Sequence, residues 1–135
     1  MNHTIPERKD TDPRFHWHIE DYFKTDAAEA EVLTGLTDRA EAAKVLHDWG
    51  AKEVVITHNT EVLAYDGDKF YTCPIKARNL SGRTGRGDTT FAGYINERLT
   101  ADIPTALRFA TALVSLKMET PGPFTGTRAD VDAYL

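Results

Sequence analysis

The feature that most limits the fold of this chain is a short apolar run near its middle. Residues 52–58, KEVVITH, place Val54, Val55 and Ile56 side by side. Alternate side chains of a strand point to opposite faces, so a run of consecutive β-branched residues is typical of a strand covered on both faces. The run therefore predicts a central strand with helices on each side of it, as in an α/β domain.

Two helices are predicted before this strand. Residues 27–35, AAEAEVLTG, are typical of a short helix, and Asp26 is placed to cap its first turn. The next helix begins after Thr37 or Asp38 and presents an apolar face that extends to Trp49. Trp49 is therefore expected in the core.

Two further strands and two further helices are predicted after it. Residues 61–75, EVLAYDGDKFYTCPI, are typical of two strands joined by a tight turn at residues 66–68. A helix is expected at 88–99 and another across 106–119, with Pro104 where a first helical turn tolerates proline. The full pattern predicts a layered α/β domain with a mostly parallel sheet.

Composition limits the classes of protein to which the chain can belong. With 135 residues and 41% hydrophobic content, one compact domain is expected. A formal net charge of -5 argues against a general nucleic-acid or membrane surface. Cys73 is the single cysteine, so no disulfide can form within the chain, and a cytoplasmic location is expected. Residues 1–14 are polar and are interpreted as a flexible extension.

A glycine-rich segment carries the main functional signal. Gly82, Gly85 and Gly87 fall within six residues and directly precede a predicted helix. Glycine lets the backbone approach a phosphate without a Cβ in the way, and the free amides of a helix N-terminus bind anions. Asp88 stands where a Walker A loop has its lysine. A carboxylate there suits a hydroxyl that must lose its proton, which points to phosphoryl transfer.

This segment resembles the second signature of the PfkB, or ribokinase-like, family of carbohydrate kinases. The matching residues 82–93 are GRTGRGDTTFAG. The resemblance implies a ribokinase-like α/β/α fold. It also implies that the backbone of Gly85, Arg86 and Gly87 forms an anion hole for the moving phosphoryl group, and that Asp88 is the catalytic base.

Other segments follow the order of the same family. Residues 25–35 are similar to its N-x-x-E-x-x-x-L-x-G element, which implies that Asp26 and Glu29 help to bind Mg²⁺. The strand that ends at Thr57 and the helix across 106–117 resemble the elements that surround the nucleotide. The resemblance implies that Thr57, Thr84 and Thr111 bind the nucleotide.

The sequence also departs from the family pattern. The family usually has an aspartate at the place of Gly82, which leaves the dependence on a monovalent cation open. Arg86 replaces a small residue, and its guanidinium is interpreted as an added phosphate contact. Residues 58–62, HNTEV, contain no glycine where the family commonly has a glycine-rich turn after the strand. The asparagine of the family is Asp26 here, which adds negative charge near the implied Mg²⁺.

Family members are roughly twice as long, and residues 15–135 resemble their C-terminal half, a partial domain. The resemblance implies an ATP-dependent transfer of the γ-phosphoryl group to an alcohol of a sugar or similar small molecule. The alternatives are a non-catalytic nucleotide-binding module and an inactive remnant. A homodimer or a complementing N-terminal half would complete the substrate site. A metal-binding strand face at His16, His18 and Glu20 is a weaker alternative, as is the integrin tripeptide at residues 86–88.

Overall fold

The computed structural model describes residues 22–82 and 84–135. The elements of these two ranges are β1 (Tyr22–Asp26), α1 (Ala27–Thr34), α2 (Arg39–Asp48), β2 (Glu53–Thr57), β3 (Glu61–Tyr65), β4 (Phe70–Pro74), α3 (Arg86–Arg98), α4 (Ile103–Met118) and α5 (Arg128–Tyr134). The extension predicted at 1–14 and the histidine-bearing strand face lie outside the described residues. Each helix within them is too short or too polar to span a lipid bilayer.

The four described strands form one sheet in the order β1-β2-β3-β4. Only β1 and β2 are parallel, and both β2–β3 and β3–β4 are antiparallel. The expectation of a mostly parallel sheet is therefore wrong for these strands. The cause is the short connections, because residues 58–60 and 66–69 can reverse the chain but cannot carry it back for a parallel crossover.

Helices cover both faces of the sheet, which confirms the predicted three-layer arrangement. On one face Ala43 and Leu46 of α2 pack with Ile56. On the other face Tyr94 of α3 and Leu107 of α4 pack with Val55. The central strand β2 is thus buried on both sides, as its apolar run predicts.

Side-chain caps fix the starts of the first two helices. Asp26 caps α1 in a reciprocal arrangement, since its carboxylate accepts from the Glu29 amide at 2.8 Å and the Glu29 carboxylate accepts from the Asp26 amide at 3.2 Å. Asp38 caps α2 by accepting from the Ala40 amide at 2.8 Å. Both acidic caps are confirmed, and α1 ends at Gly35 in the left-handed conformation.

Two local predictions differ from the structure. Trp49 is 63% exposed, because it follows the last residue of α2 and leaves the apolar face of that helix. Helix α5 was not predicted, since it is only seven residues long and follows the Pro-Gly-Pro break at 121–123. Its signal is the capping box of Thr127 and Asp130, and it buries Val131 in a cluster with Phe109 of α4.

A polar network fixes the direction of α3 on the sheet. Tyr94 is fully buried and its hydroxyl donates to Glu53 Oε1 at 2.6 Å. Arg98 donates to both oxygens of Glu53, at 3.0 Å and 2.7 Å. Burial raises the pKa of the Tyr94 hydroxyl above its usual value, and the bond to Glu53 raises it further. Because Glu53 begins β2, the C-terminal end of α3 lies at the start of that strand and its N-terminus lies at the strand's carboxyl end.

Candidate active site

A cleft lies at the carboxyl ends of the two parallel strands. It has a volume of about 280 Å³ and is lined by Lys24 and Asp26 of β1, Thr57 of β2, and the loop residues Gly85, Arg86, Gly87 and Asp88. Ligands of open α/β sheets bind at this edge of the sheet. The structure therefore brings together predicted site residues from three separate segments of the chain.

The floor of the cleft is the N-terminus of α3. Gly85 precedes the helix in the left-handed conformation, with φ of 78°, and no side chain caps the first turn. The Gly85 carbonyl accepts from the Thr89 amide at 3.1 Å, so the helical bonding begins directly after the glycine. Uncapped amides at a helix N-terminus attract an anion.

Asp88 lies at the mouth of this cleft. Its side chain is 90% exposed, and its Oδ1 lies 3.4 Å from the Lys24 ammonium. It is thus open to an incoming molecule while it still lines a concave surface that contains Gly85, Arg86 and Gly87 of the predicted phosphate loop, residues 82–88. This position suits a base that meets a substrate from solvent.

Lys24 is a site residue that the sequence analysis missed. It pairs in register with Val55, whose side chain packs under α3 and α4. Strand alternation therefore directs Lys24 to the α3 face, where it is 25% exposed. A lysine on the helix-covered face of a strand is the signal that would have identified it, because lysines are rarely placed there without a polar partner.

Arg86 lies across the cleft toward the strand ends. One guanidinium nitrogen, Nη2, donates to Asn59 Oδ1 at 2.5 Å. The other, Nη1, is buried and has no hydrogen-bond partner in the part of the chain that the structure describes. A second cleft of about 400 Å³ begins here and shares Asp26, Thr57 and Arg86 with the first. The guanidinium therefore lies between the two clefts and contributes positive charge to both.

The two carboxylates expected to bind Mg²⁺ have different surroundings. Asp26 lines both clefts. Glu29 lines neither, and its Oε2 accepts from Thr25 Oγ1 at 3.1 Å as well as from the Asp26 amide. Within 22–82 and 84–135, no three His, Cys, Asp or Glu side chains converge as a metal centre would require. One accessible carboxylate fits a Mg²⁺ ion that keeps most of its water ligands, with Glu29 holding Asp26 in place.

The three threonines expected at a nucleotide lie apart. Thr57 is buried at the junction of the two clefts. Thr84 is exposed in the turn before Gly85. Thr111 is buried in α4, where it donates to the Arg108 carbonyl at 3.0 Å and lines a separate cavity of about 180 Å³. Of the three, only Thr57 lines the two clefts that Arg86 also lines.

Comparison with known proteins gives a consistent picture. The model of the pfkB family of carbohydrate kinases matches residues 16–129. A cytidine kinase from Thermococcus kodakarensis is 44% identical over 70 residues, which cover 50% of this chain and 25% of that enzyme. A solved double-substitution variant, which converts a pyrophosphate-dependent myo-inositol-1 kinase into a myo-inositol-3 kinase, is 40% identical with a TM-score of 0.76, over 84% of this chain and 41% of that one.

A more distant structure supports the fold alone. The ribokinase of Arabidopsis thaliana, solved with ribose and ATP, is 24% identical with a TM-score of 0.77, over 84% of this chain and 40% of that one. The matched part of the chain covers 25% of the cytidine kinase and about 40% of each of the two solved structures. The ribokinase-like fold expected from the sequence is confirmed.

Proposed function

Because this chain belongs to the pfkB family of carbohydrate kinases, we propose that it is the C-terminal, donor-binding half of a phosphotransferase. The enzyme moves a terminal phosphoryl group to an alcohol of a sugar or similar small molecule. One observation carries the proposal: the uncapped amides of α3 open, beside Asp88, into a cleft at the carboxyl ends of two parallel strands.

In the proposed reaction the alcohol oxygen forms a bond to the terminal phosphorus of the donor. The bond between that phosphorus and its bridging oxygen breaks, and the shortened donor leaves with the bonding electrons. Asp88 accepts the alcohol proton. The amides of Gly85, Arg86 and Gly87 donate to the equatorial oxygens of the moving group, and the Lys24 ammonium adds positive charge at the same place.

Magnesium fits this scheme through Asp26. Its carboxylate lines both clefts, and Glu29 fixes the backbone that carries it. When bound, Mg²⁺ neutralises the charge of the donor phosphates. Proton acceptance and stabilisation of the moving phosphoryl group are assigned to Asp88, the loop amides and Lys24, as described above for the reaction.

The donor implied by the family resemblance is ATP, with Thr57, Thr84 and Thr111 as its contacts. A second candidate is inorganic pyrophosphate. The bond from Arg86 to Asn59 places a guanidinium with a free buried nitrogen beside the phosphate loop, which suits a second phosphate better than a ribose. The parent enzyme of the 40% identical variant is pyrophosphate-dependent, and so is a second 40% identical kinase of the ribokinase family.

The acceptor is proposed only as a class. The relatives act on cytidine, a nucleoside, and on myo-inositol, a polyol, and both acceptors offer free hydroxyl groups. The second cleft also presents the polar side chains of Glu31, Thr37 and His58, none of which selects one polyhydroxyl acceptor over another. A complementing N-terminal half, or a second copy of the chain, is proposed to supply the remaining contacts.

Isothermal titration calorimetry tests the donor site directly. The chain is titrated with ATP and with pyrophosphate, each in the presence of Mg²⁺, and one of them is expected to bind at a single site. Donor binding without any phosphotransfer, when an acceptor and the complementing N-terminal half are also supplied, would favour the non-catalytic module. If the chain binds neither donor, the proposed function is wrong.

A further inference from the structure

A buried ammonium group lies beneath the phosphate loop. Lys117, near the end of α4, is only 2% exposed, and its Nζ donates to the Gly82 carbonyl at 2.8 Å. Among the described residues no carboxylate pairs with it, so a loop carbonyl is its polar partner. A buried charge is unfavourable unless nearby groups compensate it. This lysine is therefore an unusual feature of the core and needs an explanation.

The ammonium is close to the glycines that form the anion hole. The Lys117 Cε lies 3.9 Å from the point where a Cβ on Gly85 would stand. It therefore underlies the same turn whose amides open into the cleft on the other side. A phosphate bound to those amides would supply the negative charge that the buried ammonium lacks.

The position of Gly82 has no room for a side chain. A Cβ there would lie 1.8 Å from the Thr120 carbonyl oxygen. The Gly82 amide donates to the Met118 carbonyl at 2.8 Å, so the loop is tied to the end of α4 through both its amide and its carbonyl. No carboxylate side chain can replace this glycine without moving the backbone.

We propose that the Lys117 ammonium is a built-in monovalent cation of the phosphate loop. It binds the Gly82 carbonyl, holds the loop amides toward the donor phosphates, and replaces an inorganic ion such as K⁺, which has the same charge and also prefers carbonyl oxygens. The inference rests on the proposed function, because the phosphates are those of the donor. Lys117 is a positioning residue, since it acts through Gly82.

The first test uses the unaltered chain. Binding of pyrophosphate with Mg²⁺ is measured in the chloride salts of Na⁺, K⁺ and tetramethylammonium at equal ionic strength. The affinity is expected to stay within about twofold across the three salts, because the site already contains its cation. A requirement for K⁺ in the unaltered chain would overturn the proposal.

The second test is chemical rescue. Lys117→Ala removes the ammonium and leaves space beside the Gly82 carbonyl, so pyrophosphate binding should weaken about tenfold or more. K⁺ or NH₄⁺ should restore part of the loss, and tetramethylammonium, which is too large, should not. Lys117→Met is the matched control, because it removes the charge while its stem fills the space, and it should not be rescued.

Unfolding measurements keep the inference separate from the proposed function. With no donor present, K⁺ and NH₄⁺ should raise the melting temperature of Lys117→Ala more than tetramethylammonium does, and should not do so for Lys117→Met. If the melting temperatures follow this pattern but the unaltered chain binds no donor, the proposed function is wrong and the cation role of Lys117 still stands. If Lys117→Ala binds pyrophosphate normally, or if no small cation restores its binding or stability, the cation role is wrong.

Discussion

The Lys24 ammonium lies 3.4 Å from Oδ1 of Asp88 and joins β1 to the first turn of α3, across 64 positions of sequence. The lysine is mostly covered and the aspartate is almost fully exposed. A cation and the proposed base thus share one wall of the cleft that contains the phosphate loop. Their roles can be separated, because one is proposed to act on the donor and the other on the acceptor.

Asp88→Asn tests the proposed base. The amide cannot accept the alcohol proton, so phosphotransfer should fall by at least about 100-fold while donor binding measured by calorimetry is largely kept. Asp68→Asn, in the exposed turn between β3 and β4, is the matched control and should change neither quantity. Unchanged turnover in Asp88→Asn would exclude the role.

Lys24→Met tests the proposed phosphate contact of the lysine. Donor affinity should fall about tenfold, because a charge-assisted hydrogen bond is lost. The same loss should appear when Lys24→Met is added to Asp88→Asn, where the aspartate no longer carries a charge. If the loss disappears in that background, Lys24 acts only by neutralising Asp88. Lys44→Met, on the exposed side of α2, controls for the change in net charge.

Arg86→Ala distinguishes the two candidate donors. Loss of the guanidinium should weaken pyrophosphate binding about tenfold and affect ATP less, because pyrophosphate ends at its second phosphate and has no nucleoside to make other contacts. Calorimetry with each donor measures the ratio. Equal losses for both would argue against a selective role, and Lys69→Ala, in the exposed turn between β3 and β4, is the control.

Tyr94→Phe tests the network that directs α3. The hydroxyl donates to Glu53 within a buried site, so its removal should lower the free energy of unfolding by roughly 1–2 kcal/mol in urea denaturation. Tyr71→Phe is the control, since the Tyr71 hydroxyl makes only a long, half-buried bond of 3.4 Å to Asp66. If both variants lose the same free energy of unfolding, the bond from Tyr94 to Glu53 contributes no more to stability than the long bond of Tyr71.

The ion pair of Arg78 and Glu119 predicts a dependence on pH. Hydrogen bonds from Arg78 lower the pKa of Glu119 in the folded protein. A lowered carboxyl pKa stabilises the fold above the unfolded-state pKa, and this contribution is lost as the pH falls through the folded-state value. Glu119→Gln should therefore lower the free energy of unfolding only slightly near neutral pH, because Arg78 is exposed and solvent screens the ion pair. The difference from the unaltered chain should shrink in acid, and a difference that grows there would contradict the assignment.

Most of the helices and strands were predictable because their causes are local. The Val-Val-Ile run of β2, the acidic caps of α1 and α2, and the proline in the first turn of α4 each act within a few residues. The strand directions were predicted less well, since they depend on which segments pair. The proposed roles of Asp88, Asp26 and the phosphate loop stay predictions, although the structure places these residues around one cleft.

The sequence alone determined that this chain forms a layered α/β unit with a glycine-rich turn before a helix. The spacing of apolar residues selects helix or strand locally, and the glycines permit the turn. Only the tertiary structure decided which charges meet that turn. Lys24 reaches Asp88 from another strand, Arg86 reaches Asn59, and Lys117 reaches Gly82 from the far end of α4. These contacts join positions 27 to 64 residues apart, and no local pattern encodes them.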